Sequence, residues 1–461
     1  MQVLLISTYD MGRQSFGLAS PAAWLREAGL EVVCADLSRD RLPQDAVRAA
    51  SLAAFFLPMH TATRLALPVI DRVRSLNPEA RLVAYGLYAP LNDELLRARG
   101  IHDVLGGEFE QQLVDIVRLL QGVGGEAPPN PAPSAEHRAL SAESPAMPRL
   151  AFKVPAREGL PPLSRYAALQ DGPARRVVGY TEASRGCKHL CRHCPIVPVY
   201  NGRFRVVSPD VVLADVRGQI GAGATHITFG DPDFFNGIRH AREVMERFAQ
   251  ECPQATYDVT IKVEHLLKHA DALEQLHATG CAFVTTAVEA VDDRVLGYLD
   301  KGHTRADFER AVALCAQVDL PLSPTFVAFT PWTTIASYGE FLQAIDNLGL
   351  VEHVAPIQLA IRLLVTEKSR LLELHDVRSL VRAFDPLSLT YPWRHPAPAV
   401  DALQLGISRI VGVRPNAARE DVFAQVWELA VGAGEPALAR RRLPVLPARA
   451  SIPYLTEPWY C

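Results

Sequence analysis

The stretch SRGCKHLCRHCP, residues 184–195, sets three cysteines and two histidines within the eight residues from Cys187 to Cys194. Structural zinc takes four ligands in a closed tetrahedron, commonly as two separated pairs. Here His189 or His193 would have to supply the fourth ligand, with rings awkward to aim among three close thiolates. Iron–sulfur clusters also take thiolates, normally four. Three cysteines would leave one iron of a four-iron cluster open to a small molecule. The spacing favours the cluster, with zinc and an inert cysteine turn as the alternatives.

The flanks of this loop set the fold. RRVVGYTEAS leads into it as a strand, and strand and helix then alternate. PDVVLADVRGQIGAG, IRHAREVMERFAQ, LLKHADALEQLHATG, RADFERAVALCAQV and IASYGEFLQAIDNLG carry helical periodicity. HITFGD, YDVTIKV, AFVTTAVE, LSPTFVAFT and APIQLAIRLLV read as strands between them. Six βα steps in succession predict a partial TIM-type βα6 barrel, whose chemistry belongs at the C-terminal ends of its strands. The cysteines fall at the first of these ends.

Residues 1–121 alternate in the same way. Strands VLLIST, EVVCADL, LAAFFLP, ARLVAYG and DVLGG are separated by helices, the first of which Gly29 is positioned to end. This predicts an α/β, doubly wound, Rossmann-like domain with ligands bound beyond the strand ends. Residues 122–150 are rich in Pro, Ala, Gly and Ser and read as a linker. The barrel is expected over 151–385. A small C-terminal helical cap with an extended tail is expected over 386–461.

Composition excludes several classes. The chain of 461 residues is 49% apolar and 21% charged, with a formal net charge of −4. That balance gives no electrostatic case for nucleic acid or an anionic membrane. Its apolar runs are too short to span a bilayer. MQVLLISTYD has no basic residue ahead of its apolar segment, so it does not read as a signal peptide, and a cytoplasmic location is expected. Eight cysteines are too few for a disulfide scaffold, and Cys34, Cys252, Cys281, Cys315 and Cys461 are dispersed.

With C-x3-C-x2-C on the loop after a first barrel strand, the chain resembles the radical S-adenosylmethionine (SAM) superfamily. The resemblance implies that Cys187, Cys191 and Cys194 each hold one iron of a 4Fe-4S cluster and that the fourth iron chelates the amino and carboxylate groups of S-adenosyl-L-methionine. Reductive cleavage of SAM would then start radical chemistry. The position of His193 is usually aromatic in that family. ITFGDPDFFNG ends the second strand where the family has its Gly-Gly-Glu-like motif, which makes Gly230, Asp231 and Asp233 candidates for SAM binding. Glu289, ending the fourth strand, is the candidate for the ribose hydroxyls or methionyl group. Lys262, Glu264 and His265 end the third strand, Lys301-Gly302-His303 follow the next helix, and Gln358 and Arg362 lie on the sixth strand. Lys262, Glu264, His265, Gln358 and Arg362 are each as compatible with a barrel-rim ion pair as with the cavity.

The N-terminal domain resembles the cobalamin-binding domain attached to many such enzymes, which makes cobalamin a candidate cofactor. The loop DMGRQSFG carries Asp10, but Gly12 stands where a cobalt-ligating histidine would be. PMHTATR, with His60, and YGLYAPL occupy the loops for the cofactor's nucleotide tail. Across its length the chain is similar to a subgroup named for a Cys-Sec-Ala-Glu-Pro or Cys-Cys-Ala-Glu-Pro tail. Here Glu457-Pro458 remains, the cysteine pair is absent, and Cys461 is a lone terminal thiol. The resemblance implies an enzyme, a transferase acting on a small-molecule or natural-product substrate, with an electron donor such as flavodoxin or ferredoxin. Cobalamin-assisted methyl transfer is the leading reaction. The alternatives are transfer of the 3-amino-3-carboxypropyl group of SAM to a heteroatom such as arsenic, and a non-catalytic Fe-S or zinc binding protein.

Overall fold

A computed structural model of the chain describes residues 1–122, 150–413, 417–433 and 452–457. Residues 123–149 of the expected linker and Cys461 therefore lie outside the described residues.

The first sheet is built from β1 (Gln2–Ser7), β2 (Glu31–Asp36), β3 (Ala50–Phe56), β4 (Arg81–Tyr85) and β5 (Asp103–Leu105), all parallel, in the order β2-β1-β3-β4-β5. β1 is buried from Val3 to Ser7, as a strand covered by helices on both faces must be. The order reverses between β1 and β3, so the loops after these two strands border the crevice where such sheets take ligands. Separate apolar clusters line the two faces: Leu4, Ile6, Phe55 and Ile70 on one, Val3, Leu5, Leu25 and Val83 on the other.

The second sheet has seven strands. β7 (Ala174–Thr181), β10 (His226–Phe229), β11 (Thr256–Thr260), β12 (Cys281–Glu289) and β13 (Leu322–Phe326) run parallel in that order and form the half-barrel. β6 (Ala168–Asp171) joins β7 as an antiparallel edge. β8 (Ser184–Gly186) and β9 (Phe204–Val206) form a separate two-stranded ribbon that encloses the cysteine loop.

Two expectations change at the barrel's ends. The sixth strand is reduced to an isolated bridge between Phe329 and Arg362, and Pro356–Leu359 forms a 3-10 turn. The Gln358 side chain takes over the missing pairing by accepting the Phe326 N–H at 2.9 Å. Arg362 turns outward, bonded to Asp401 at 2.6 Å and lying 3.6 Å from the centroid of the Trp393 ring. The tail, expected as part of a cap, contributes β14 (Tyr454–Leu455), which pairs antiparallel with β6 and extends the barrel sheet. The two expected helices, Pro398–Val413 and Arg419–Gly432, bury Leu403, Ile407, Val422 and Phe423 in the same apolar cluster as the barrel strands.

The two sheets are joined by buried polar contacts. Glu110, fully buried at the start of the helix after β5, meets Arg185 at 2.7 Å, and Tyr166 donates to Asp36 at 2.7 Å. Leu389, beyond the barrel, lies within the apolar cluster of the N-terminal domain.

Candidate cluster and cofactor site

Each residue of Ser184-Arg185-Gly186-Cys187 has a distinct task. Ser184 Oγ and the Ala183 N–H both bind the Asp231 carboxylate, the latter at 2.9 Å. Arg185 anchors the loop to Glu110 of the N-terminal domain and to Glu182 at 2.8 Å. Gly186 has φ +77°, and a Cβ there would lie 2.4 Å from the Arg203 carbonyl. Only glycine allows the chain to turn this tightly into Cys187. Beyond it the loop is tied to the barrel by the Arg192 N–H, bonded to the Leu299 carbonyl at 2.9 Å, and by Arg370, bonded to the Leu190 carbonyl at 2.8 Å.

Cys187 and Cys191 are buried, Cys194 is half-buried, and all three are free thiols. Burial, followed by the proximity of Cys191 and Cys187, pushes the Cys194 thiol up to about 12. Two buried lysines face the group: Lys262 Nζ lies 3.9 Å from Cys191 Sγ, and Lys301 carries a raised pKa to which Glu289, Cys191 and Cys194 contribute against its burial. Held together as thiolates, the three would repel one another, and a bound metal ion both offsets that charge and deprotonates a coordinating thiol outright. The donor set therefore fits a cationic metal centre.

The acids at the strand ends are not equivalent. Gly230 is required by packing, since a Cβ there would lie 1.8 Å from the Tyr180 hydroxyl. Asp231 is spent on Ala183 and Ser184, and burial pushes its carboxyl up to about 7. Asp233 Oδ1 takes the Phe235 and Lys262 N–H groups at 3.3 and 3.5 Å. Its Oδ2 faces His265 Nδ1 at 2.6 Å and His189 Nε2 at 3.4 Å. Glu289 ends β12 at a bulge with φ +70°, a strained conformation for a non-glycine residue. Its Oε1 meets His193 Nε2 at 3.1 Å and Lys301 Nζ at 3.3 Å. Despite burial, Lys301 and then His193 hold its carboxyl down to about 2.

The cysteine loop thus presents its two histidines to two different strand ends, His189 to the second and His193 to the fourth. Sequence reasoning offers both only as possible zinc ligands and gives neither a partner across the fold. The signal available was their position: each sits beside or between metal-type cysteines, and suitable acids end strands two and four.

Residues 181–334 match the family model described as the radical SAM superfamily. The tRNA-2-methylthio-N(6)-dimethylallyladenosine synthase of Hahella chejuensis is 21% identical over 200 residues, which are 41% of this chain and 45% of that protein. The hopanoid C-3 methylase of Methylococcus capsulatus is 25% identical over 149 residues, 31% of this chain and 28% of that protein. The chain therefore spans less than half the length of these curated relatives. The cobalamin-dependent SAM radical enzyme OxsB, solved with aqua-cobalamin, superposes with a TM-score of 0.70 at 13% identity, over 94% of this chain and 71% of its own. The methyltransferase TsrM from Kitasatospora setae, solved with cobalamin and a [4Fe-4S] cluster, gives 0.57 at 18% identity over 76% and 73%. These likenesses extend the shared fold across both domains. Over residues 181–334 the chain is thus similar in sequence to the radical SAM superfamily, and over nearly its whole length it shares the fold of OxsB.

Proposed function

We propose that the chain is a radical SAM enzyme in which Cys187, Cys191 and Cys194 hold a [4Fe-4S] cluster that leaves one iron for SAM. The observation that carries this reading is the trio of free thiols on one loop at the C-terminal ends of a parallel half-barrel, with the buried Lys262 ammonium 3.9 Å from Cys191 Sγ. Bound, such a cluster supplies the electron for reductive cleavage of SAM. The protein's own part is to hold the thiols, to offset their charge with the two lysines, and to exclude water. The backbone of Gly230–Asp233 borders the methionyl group, Asp231 serves by fixing the loop, and Glu289 Oε2 accepts a ribose hydroxyl while His193 and Lys301 hold Oε1.

The substrate is a small molecule rather than a nucleic acid, in keeping with the net charge of −4, and flavodoxin or ferredoxin is the electron donor. Methyl transfer is the favoured reaction, since the fold is shared with the methyltransferase TsrM. For cobalamin, the described loops offer no histidine to the metal. A Cβ on Gly12 would lie 2.7 Å from the Glu457 side chain, and His60 Nε2 is taken by the Ser388 carbonyl at 2.6 Å. The residues present fit cobalamin only if its cobalt takes no ligand from the β1 or β3 loop.

Anaerobic reconstitution with iron, sulfide, SAM and reductant tests the reading. 5′-Deoxyadenosine with methionine is the expected product pair. Methylthioadenosine as the main product would redirect it to 3-amino-3-carboxypropyl transfer. No cleavage, with Cys191→Ala indistinguishable from wild type, would overturn it.

A further inference from the structure

We infer that His189, Asp233 and His265 form a second metal site, for a divalent first-row transition ion such as Zn2+ or Fe2+, separate from the three cysteines. One nitrogen from each ring and one carboxylate oxygen lie within 4.8 Å of one another. The side chain of Asp233 is fully buried and that of His265 is 6% exposed. The three atoms come from three different elements: the cysteine loop, the turn after β10, and the helix Val263–Lys268 after β11.

The angles separate a metal site from an ordinary ion pair. His265 Nδ1 is 2.6 Å from Asp233 Oδ2, yet neither atom has a partner with hydrogen-bond geometry, and neither does His189 Nε2. Two groups at that distance that form a hydrogen bond aim the N–H at the oxygen. Here three unpartnered donor atoms instead lie within 4.8 Å of one another, the spacing of ligands to one ion.

The surroundings complete the pattern. Asp233 Oδ1 is held by the Phe235 and Lys262 N–H groups, which leaves Oδ2 as a single ligand atom. Glu264 Oε2 lies 3.5 Å from His189 Nδ1, the other ring nitrogen, where an outer carboxylate orients a metal-bound histidine. Two histidines and one carboxylate leave positions open, as in catalytic zinc sites and non-haem iron sites. The open position takes water or a donor atom of the substrate.

The inference stands apart from the cluster reading, and the experiment keeps them apart. Full-length Cys187→Ala/Cys191→Ala/Cys194→Ala protein is titrated with Co2+ under anaerobic conditions, with circular dichroism to verify the fold. The reconstituted wild type is analysed in parallel for Zn2+ bound beyond its cluster iron. One equivalent of Co2+ with d–d bands of nitrogen and oxygen ligation is expected. Adding His265→Ala or Asp233→Asn should weaken binding about a hundredfold or more. No saturable binding in either protein, or binding indifferent to both substitutions, would overturn the site. So would substitutions that leave metal content unchanged and weaken only SAM binding, since the three atoms would then be receiving an ammonium group.

Discussion

His193 Nε2 lies 3.1 Å from Glu289 Oε1, so the residue just before the last cysteine is bonded to the acid that ends the fourth barrel strand. Lys301 Nζ, 3.3 Å from the same oxygen, makes this a buried triad of one anion and two nitrogen partners. Glu289→Gln strands the Lys301 ammonium without an anion, and stability should fall by about 3–5 kcal/mol. Glu289→Gln/Lys301→Met removes both charges and should recover most of that loss. Urea denaturation of the two single variants and the double variant without iron measures the coupling. A coupling energy near zero would mean that the two charges do not meet.

Asp231 tests how the cysteine loop is held. Its carboxylate accepts from Ala183 and Ser184, immediately ahead of Cys187. Asp231→Ala leaves a buried N–H and hydroxyl without acceptors, at about 1–3 kcal/mol for each unsatisfied group. Iron incorporation per chain should drop while far-ultraviolet circular dichroism is kept. Asp231→Asn keeps one acceptor oxygen and should lie between Ala and wild type. Equal iron content in all three proteins would show that the loop orders itself without Asp231.

Periodicity made the two sheets legible, because apolar runs and helical repeats are local signals. The cysteine spacing and the acids ending β10 and β12 were legible for the same reason. What failed to show was pairing across the fold. Nothing within SRGCKHLCRHCP indicates that His189 meets Asp233 or that His193 meets Glu289, since each pair joins elements far apart in sequence. The sixth strand failed through the same blindness: APIQLAIRLLV has strand composition, but the Gln358 side chain binds the Phe326 N–H where strand backbone was expected. Tyr454 and Leu455 carried no strand signal because two residues are too short a run to show alternation.

Gly12 and Glu457 connect the β1 loop with the tail. Tyr9 donates to Glu457 Oε1 at 3.2 Å, and Gly12 adopts φ +71° with that side chain beside it. Gly12→Ala meets two costs, a left-handed backbone worth about 1 kcal/mol and a clash with Glu457. Glu457→Gly, which removes the Cβ as well as the atoms beyond it, should relieve the second cost only. The double variant is expected to melt above Gly12→Ala and below wild type, and the tail of the single variant should be cut faster by protease. Identical melting of the single and double variants would show that the tail does not lie on the loop.

Asp10, in the same loop, gives the protein a pH dependence of definite sign. Burial is the main cause that pushes its carboxyl up from 3.8 to about 7, against the pull of Arg13. A folded-state pKa above the unfolded value means that the native protein binds the proton more tightly. The contribution of Asp10 is therefore most favourable below pH 3.8, declines as pH rises towards 7, and is constant above that. The slope is at most about 1.4 kcal/mol per pH unit. Asp10→Asn cannot ionise and escapes this decline. Its stability relative to wild type should rise between pH 4 and pH 7 and level off above, as read by urea denaturation across that window. Other titrating groups are common to both proteins and cancel in the difference. A difference independent of pH would mean that the Asp10 carboxylate reaches water, and the β1 loop would then be open where the structure has Asp10 buried.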